Sequence, residues 1–241
     1  MKAALSVGLT LVFCVPYFTL QRFPLLPART LPLSAIDRTI DFDPRWIWAY
    51  QSVYLLLAIV PWMATTRREL RQYARGFLVL SAVGFAFFLL LPIRGPRPDT
   101  DAAGFMFRVL RSYDQPVNCF PSLHVGLAVY TVLFGARLAR DRMTVSTRRA
   151  VVSLAWLWTT LIAYAALATK QHYALDLPAG ALVACVCHGW NCHNLQRSMA
   201  HAERPTVRQG LFRGPVGVLF RERDGHAPPN SSGSGSARAR R

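Results

Sequence analysis

The sequence predicts an all-α, polytopic membrane protein of about six transmembrane helices, and three observations carry that prediction. Composition is the first: 52% of the 241 residues are hydrophobic, 12% are aromatic, and the mean hydropathy is +0.23, more apolar than water-soluble domains are. The second is the recurrence of apolar stretches near the roughly 20 residues a helix needs to cross a bilayer. The third is the placing of basic residues, which alternates along the chain as positive-inside topology requires.

The stretches fall at residues 4–20, 46–64, 73–91, 121–136, 150–168 and 172–190. In the first, Lys2 ahead of an apolar run also suits a secretory signal, but no small-residue cleavage site follows, so an uncleaved helix is expected. Arg67, Arg68, Arg71 and Arg75 cluster between the second and third. The fourth, the shortest, opens behind Pro121 and Ser122, and Arg137, Arg140, Arg142, Arg148 and Arg149 separate it from the fifth, with Asp141 the one acid among them. Both arginine clusters are assigned to the cytoplasm. Loops one and three mix arginines with Asp37, Asp41, Asp43, Asp99, Asp101 and Asp114. With the very short fifth loop they are assigned to the outside, and both termini to the cytoplasm. Residues 1–190 then form one transmembrane domain. Residues 191–241 form a basic cytoplasmic tail ending HAPPNSSGSGSARARR, whose Pro, Ser and Gly content predicts disorder.

The net charge of +16, from 28 Lys and Arg against 12 Asp and Glu, is accounted for by topology and tail. A nucleic-acid partner is not expected, because the arginines are scattered between spans with no aromatic-basic recognition module. Five cysteines give no disulfide framework, since Cys14, Cys185 and Cys187 fall inside spans. The run CVCHGWNCH, 185–193, gathers Cys187, His188, Cys192 and His193 at a helix end, but in a spacing that matches no standard zinc pattern. Buried thiols are expected there, and no metal.

Three loop segments carry chemistry. In NCFPSLHVGLAVY, 118–130, Pro121 suits the first position of a helix, Ser122 offers a hydroxyl beside free N–H groups, and His124 stands next to that anion-binding position. In ATKQHYALDLPAG, 168–180, His172 and Asp176 are four apart and are expected on one helix face; an ionisable pair inside a span is costly and points to function. Lys170 adds a cation. In IRGPRPD, 93–99, Arg94 and Arg97 are held in a Pro/Gly-rich turn that cannot be helical, and guanidinium forks suit phosphate oxygens. All three segments fall on the outer side of the predicted topology. A fourth segment, AAGFMFRVLRSYD at 102–114, is expected to form a short interfacial helix with Phe105, Met106, Val109 and Leu110 on one side.

Arg97-Pro98, then Pro121-Ser122-Leu123-His124, then His172 with Asp176, resemble the three signatures of the type 2 phosphatidic acid phosphatase (PAP2) superfamily over residues 94–180, and the six-span layout is similar to its membrane branch. Leu123 in place of the usual glycine, with TKQHYALD, looks most like the inositol phosphorylceramide synthase-like (inositolphosphotransferase) members. The resemblance implies a PAP2-type helical bundle in which His172 is the nucleophile, Asp176 orients it, and His124 protonates the leaving oxygen. Arg97, Lys170 and Ser122 would hold the phosphate, with no metal and no cofactor. The chain departs from the family pattern at Leu90, where a lysine is usual, and at Ala165 and Ala166, where Ser-Arg is usual; Lys170 and Arg94 are expected to compensate. The expected activity is hydrolysis of a lipid phosphate or phospholipid at the outer face through a phosphohistidine. The alternatives are a phosphotransferase that passes a phospho-headgroup to a lipid alcohol, and a transporter using His124, His172 and Asp176 as a proton relay.

Overall fold

The computed structural model describes residues 2–98 and 104–202. Helix α1 (Lys2–Arg22) is followed by strand β1 (Arg29–Thr30), α2 (Ala35–Thr39), a 3₁₀ turn at Pro44–Trp46, α3 (Ile47–Gln51), α4 (Val53–Met63), α5 (Arg67–Leu90), β2 (Ile93–Arg94), α6 (Phe105–Tyr113), α7 (Leu123–Arg140), α8 (Val145–Ala168) and α9 (Asp176–Ala202). The chain is mostly helical, and each of the six apolar stretches lies largely in helix. It is not purely so: β1 and β2 pair in parallel, Arg29 with Ile93 and Thr30 with Arg94, which ties loop one to the segment carrying Arg97.

Among the described residues three helical stretches are long and apolar enough to cross a membrane: Pro44–Met63, Arg67–Leu90 and Val145–Ala168. Leu55, Trp62, Leu154, Leu157 and Leu161 stand exposed on two of them, an outward apolar surface suited to lipid. Helix α7 has a different character because it is the central element. It buries Gly126, Tyr130, Thr131, Phe134 and Gly135 among its neighbours and ends in Arg137 and Arg140, so its sequence answers to protein packing rather than to lipid.

Several boundaries differ from the sequence reading. The arginines at 67–75 lie inside α5, because Thr66 and Glu69 form a capping box that starts the helix at Arg67. Helix α7 starts at Leu123, with Ser122 as its N-cap accepting the Val125 N–H, so Pro121 stands just outside the helix. Helix α9 runs to Ala202, beyond the expected end at 190, since NCHNLQRSMAHA contains no Pro or Gly to stop it. The remainder of the tail, from 203, lies outside the described residues. Helix α6 forms as expected but buries Phe107 and Leu110, while Phe105 is 65% exposed.

The elements near the site are placed by backbone contact. A Cβ at Gly180 in α9 would lie 2.2 Å from the Ser122 carbonyl oxygen, so only glycine lets the start of α9 lie against the start of α7. There the Ser122 N–H donates to the Asp176 carbonyl at 3.1 Å. Close approach through small residues is how helices associate where lipid removes the hydrophobic drive.

Candidate active site

His172 is not on a helix face. It sits in the turn between the end of α8 at Ala168 and Asp176, the first residue of α9, two residues past Lys170, whose left-handed φ of 55° helps to make the break. The pairing expected from the four-residue spacing is still made, by a loop. His172 Nδ1 lies 3.3 Å from Asp176 Oδ2 and 3.0 Å from the Cys119 carbonyl oxygen. Both neighbours are acceptors, so Nδ1 carries the proton and Nε2 keeps its lone pair. Asp176 is fully buried and also accepts the Tyr173 N–H at 2.8 Å.

His124 occupies the second position of α7. Its ring stacks on Tyr50 of α3, centroids 4.2 Å apart, and Nδ1 lies 3.2 Å from the Tyr50 hydroxyl. The hydroxyl has no other partner among the described residues, so it donates to Nδ1, and Nε2 then carries the hydrogen. The two imidazoles are 6.0 Å apart, centroid to centroid. Their tautomers are complementary: His172 presents a lone pair, His124 a proton.

Arg97 reaches the same region. Its side chain, 6% exposed, pairs with Asp114 at 3.0 Å, donates to the Asp114 carbonyl at 2.6 Å and contacts Gln171 Oε1. Asp114 in turn accepts from Gln21 at 2.6 Å and Tyr17 at 3.2 Å. A buried ion pair needs such surrounding hydrogen bonds to offset the desolvation of its charges. Three buried polar atoms of the site have no partner: Arg97 Nε, His124 Nε2 and Asp176 Oδ1. Leaving a buried polar group unpaired costs about 1–3 kcal/mol, and two of these three are donors suited to an oxyanion.

The other expected phosphate ligands are not all brought here. Ser122 is, fully buried at the head of α7. Lys170 is not: the left-handed turn sends its ammonium to the carbonyls of Asp37, at 2.7 Å, and Ile40, where it fastens loop one to the histidine turn. Arg94 is exposed and lines a separate open depression with Gln21, Arg22 and Gln115. Ala165 and Ala166 are core, buried against Ile47, Tyr50 and Phe107.

Asp37 completes the fastening. Its carboxylate accepts the Ala174 N–H at 2.7 Å and closes a capping box with Ser34. Burial alone would raise its pKa, but hydrogen bonds from Ser34 and the Ala174 N–H, with Lys170 nearby, bring the carboxyl below its ordinary value. Sequence reading missed Tyr50, Asp114, Gln171 and Asp37 as site residues. Only Asp37 had a legible signal, the spacing Ser34-x-x-Asp37 of a helix cap.

Cys119 Sγ, His172 and Asp176 place possible metal-ligand atoms within 4.8 Å of one another. Each is engaged otherwise: the thiol lies 3.1 Å from the Gln171 carbonyl, and His172 Nδ1 and Asp176 Oδ2 hold each other. A cation would have to displace the proton that fixes the His172 tautomer. In the 185–193 run, His188 Nε2 and Cys192 Sγ are 3.7 Å apart, and Arg137 also approaches that sulfur, at 3.5 Å, an unfavourable neighbour for a metal ion.

A narrow cleft of about 70 Å³ leads to His124 between α1, α4, α5 and α7, lined by Phe13, Tyr17, Tyr54, Leu57 and Leu127. Its walls are almost wholly apolar, so a hydrocarbon group fits there better than a polar one.

No curated protein matches the chain. A family profile described as the PAP2 superfamily matches residues 44–190, which include both histidines, Arg97, Ser122 and Asp176. With its long apolar helices, the chain therefore belongs to the PAP2 superfamily of phosphatases and phosphotransferases, as a membrane phosphatase-type protein.

Proposed function

We propose that this protein hydrolyses a phosphate ester of a lipid through a phosphohistidine on His172. The observation that carries the reading is the gathering of a lone-pair nitrogen on His172, a proton-bearing nitrogen on His124 and an unpaired Arg97 N–H, with His124 itself lining an apolar cleft. His172 Nε2 attacks phosphorus, the N–P bond forms as the P–O bond to the lipid breaks, and the leaving oxygen takes the Nε2 proton of His124, which the bound phosphate anion holds as imidazolium and which is left as neutral imidazole. Water then attacks the phosphohistidine and gives a proton back to His124, releasing inorganic phosphate and restoring His172. Arg97 and the Ser122 region stabilise the equatorial oxygens, where charge spreads in the transition state. Asp176 stabilises the imidazolium character that His172 gains in attack. Lys170 and Arg94 act at the periphery, one on the turn and one on the rim.

The proposal includes six spans, both termini in the cytoplasm and the site on the outer face. In support, Arg67, Arg68, Arg71 and Arg75 begin α5 while Arg137 and Arg140 end α7, the end of that helix remote from His124.

A second reading is a phosphotransferase of the inositol phosphorylceramide synthase-like kind. What favours it is a dry site: His172 is 5% exposed, and Asp176 and Ser122 are fully buried, so a positioned lipid alcohol competes well with water. One experiment separates the two. Purified protein is given lipid phosphates and phospholipids, with and without diacylglycerol, ceramide or a polyprenol, in excess EDTA. Phosphate release without acceptor is expected, and His172→Ala and His124→Ala each lower turnover by at least about 10²-fold, the lower end for an acid–base group. Turnover that requires acceptor and releases no phosphate establishes the transferase. Full loss in EDTA, or near-wild-type turnover in either variant, overturns both readings, and a proton-coupled flux would then be sought.

A further inference from the structure

At the other end of α7 from the histidines lies a second cavity, of about 680 Å³, between α7, α8 and α9. Its size is within the range of about 300–1,000 Å³ typical of ligand sites. Arg137 and Arg140 enter from the last turn of α7 and Arg148 and Arg149 from the start of α8, with His188 and Cys192 on the α9 side. Four arginines thus line one space, and among the described residues no carboxylate lines it. The described acids nearest in sequence do not neutralise them. Glu69 is taken by Arg142 at 2.5 Å, and Asp141, the C-cap of α7, is exposed and outside the lining. Arg137 spends one N–H on Cys192 Sγ, while the side chains of Arg140, Arg148 and Arg149 have no hydrogen bond or ion pair among the described residues.

Such a gathering of like charge, with the positive N-terminal end of the α8 dipole beside it, calls for an anion. The rest of the lining says which kind. Leu133, Ala136 and Val152 share it with the arginines, and the adjoining surface of α8 exposes Val151 and Leu154, so the space combines basic and apolar walls. We propose that this cavity seats the phosphate of an acidic membrane lipid, with the guanidinium groups on the phosphate oxygens and the acyl chains running down the α8 surface. Arginine forks suit phosphate, and basic residues at the bilayer surface each add about 1 kcal/mol toward anionic lipid. The seat lies a helix length from His172, and its occupant is bound rather than hydrolysed. In the topology proposed above it faces the cytoplasmic leaflet.

The test reads binding, so it stands apart from the catalytic proposal. Full-length protein is exchanged into micelles holding phosphatidylglycerol or phosphatidylcholine, and retained lipid is measured by native mass spectrometry. Wild type is expected to retain phosphatidylglycerol selectively. The double variant Arg140→Gln/Arg149→Gln loses that retention by about 30-fold, as two basic residues at roughly 1 kcal/mol each require. Arg67→Gln/Arg68→Gln, outside the cavity but in the other basic cluster, keeps it. Equal loss in both double variants, or none in the first, overturns the seat and leaves the arginines as topology signals only. Displacement of the lipid by millimolar inorganic phosphate overturns the lipid assignment in favour of a free anion.

Discussion

Tyr50 shows how a single side chain sets the chemistry of a histidine it does not resemble in any motif. The hydroxyl fixes the His124 tautomer and the stacked ring fixes its plane, so Tyr50 is a positioning residue. Tyr50→Phe keeps the stack and removes the hydrogen bond, worth about 1 kcal/mol. Turnover of an alkyl phosphate ester, whose leaving oxygen needs a proton, should fall by about fivefold to tenfold, while p-nitrophenyl phosphate, whose leaving group needs none, should change little. Equal loss on both substrates would reduce Tyr50 to a packing role. The residues that the sequence revealed, His124, His172, Asp176, Arg97 and Ser122, are those whose chemical type and spacing form a pattern. Their partners were not legible for a physical reason: Tyr50 reaches His124 across 74 residues and Gln171 reaches Arg97 across 74, with no local periodicity to announce either contact. Lys170 lies apart from the other expected phosphate ligands because a left-handed turn directs its side chain to loop one, and nothing in the neighbouring residues marks that turn. Asp37 carries a second consequence at this scale. Its folded-state carboxyl binds a proton more weakly than the unfolded chain does, so the clamp on the His172 turn is at full strength above the ordinary carboxylate value of about 3.9. It is lost as pH falls below that through the folded value. Asp37→Asn should therefore flatten the acid limb of the melting-temperature profile; an unchanged profile would show that the clamp does not contribute.

At the scale of elements, the site depends on the crossing of α7 and α9. Gly180 and Gly126 bring the two backbones together, a Cβ at Gly126 lying 3.1 Å from the Gly180 carbonyl oxygen, and the Ser122 to Asp176 hydrogen bond closes the junction. Gly180→Ala must push α9 away from Ser122, and overpacking of this kind costs about 1–3 kcal/mol. Gly189, in the same helix with open space at its Cβ position, supplies the control: Gly189→Ala should be neutral or stabilising by up to about 1 kcal/mol, since alanine is the better helix former. Melting temperatures in one detergent compare the pair, and a Gly180→Ala protein as stable and active as wild type would mean that the crossing is not a close-packed constraint. Helix existence was legible here because apolar runs of membrane length are long and strong signals. Helix ends were less so, since they turn on caps such as Thr66 with Glu69 and Ser122 with Val125. The helix–helix crossing was not legible at all, because a glycine in an apolar helix does not say which backbone it faces.

For the molecule as a whole, the arginines and the histidines divide along α7. His124 lies at its first turn and Arg137 and Arg140 at its last, about 20 Å apart at 1.5 Å per residue. That separation is about two-thirds of the hydrocarbon thickness of about 30 Å, so in the proposed topology the two groups lie toward opposite surfaces, the arginines on the cytoplasmic side by their positional bias. Loop one moves with the histidines, because Asp37 and Lys170 fasten it to the turn that bears His172. Thr39 is exposed in that loop, and Thr147 is exposed at the start of α8 beside the arginines. A cysteine at Thr39 should react with an impermeant maleimide in intact cells, and a cysteine at Thr147 should react only after the membrane is opened. The parent protein, with its own five cysteines, sets the background. Reversed labelling would turn the site toward the cytoplasm without altering the His172 and His124 chemistry, and would change only the leaflet from which the substrate is drawn. Labelling of both positions in intact cells would break the link between the arginine clusters and sidedness. Labelling of neither would show that loop one is shielded, and Phe105, 65% exposed on α6, would then be the position to carry the cysteine.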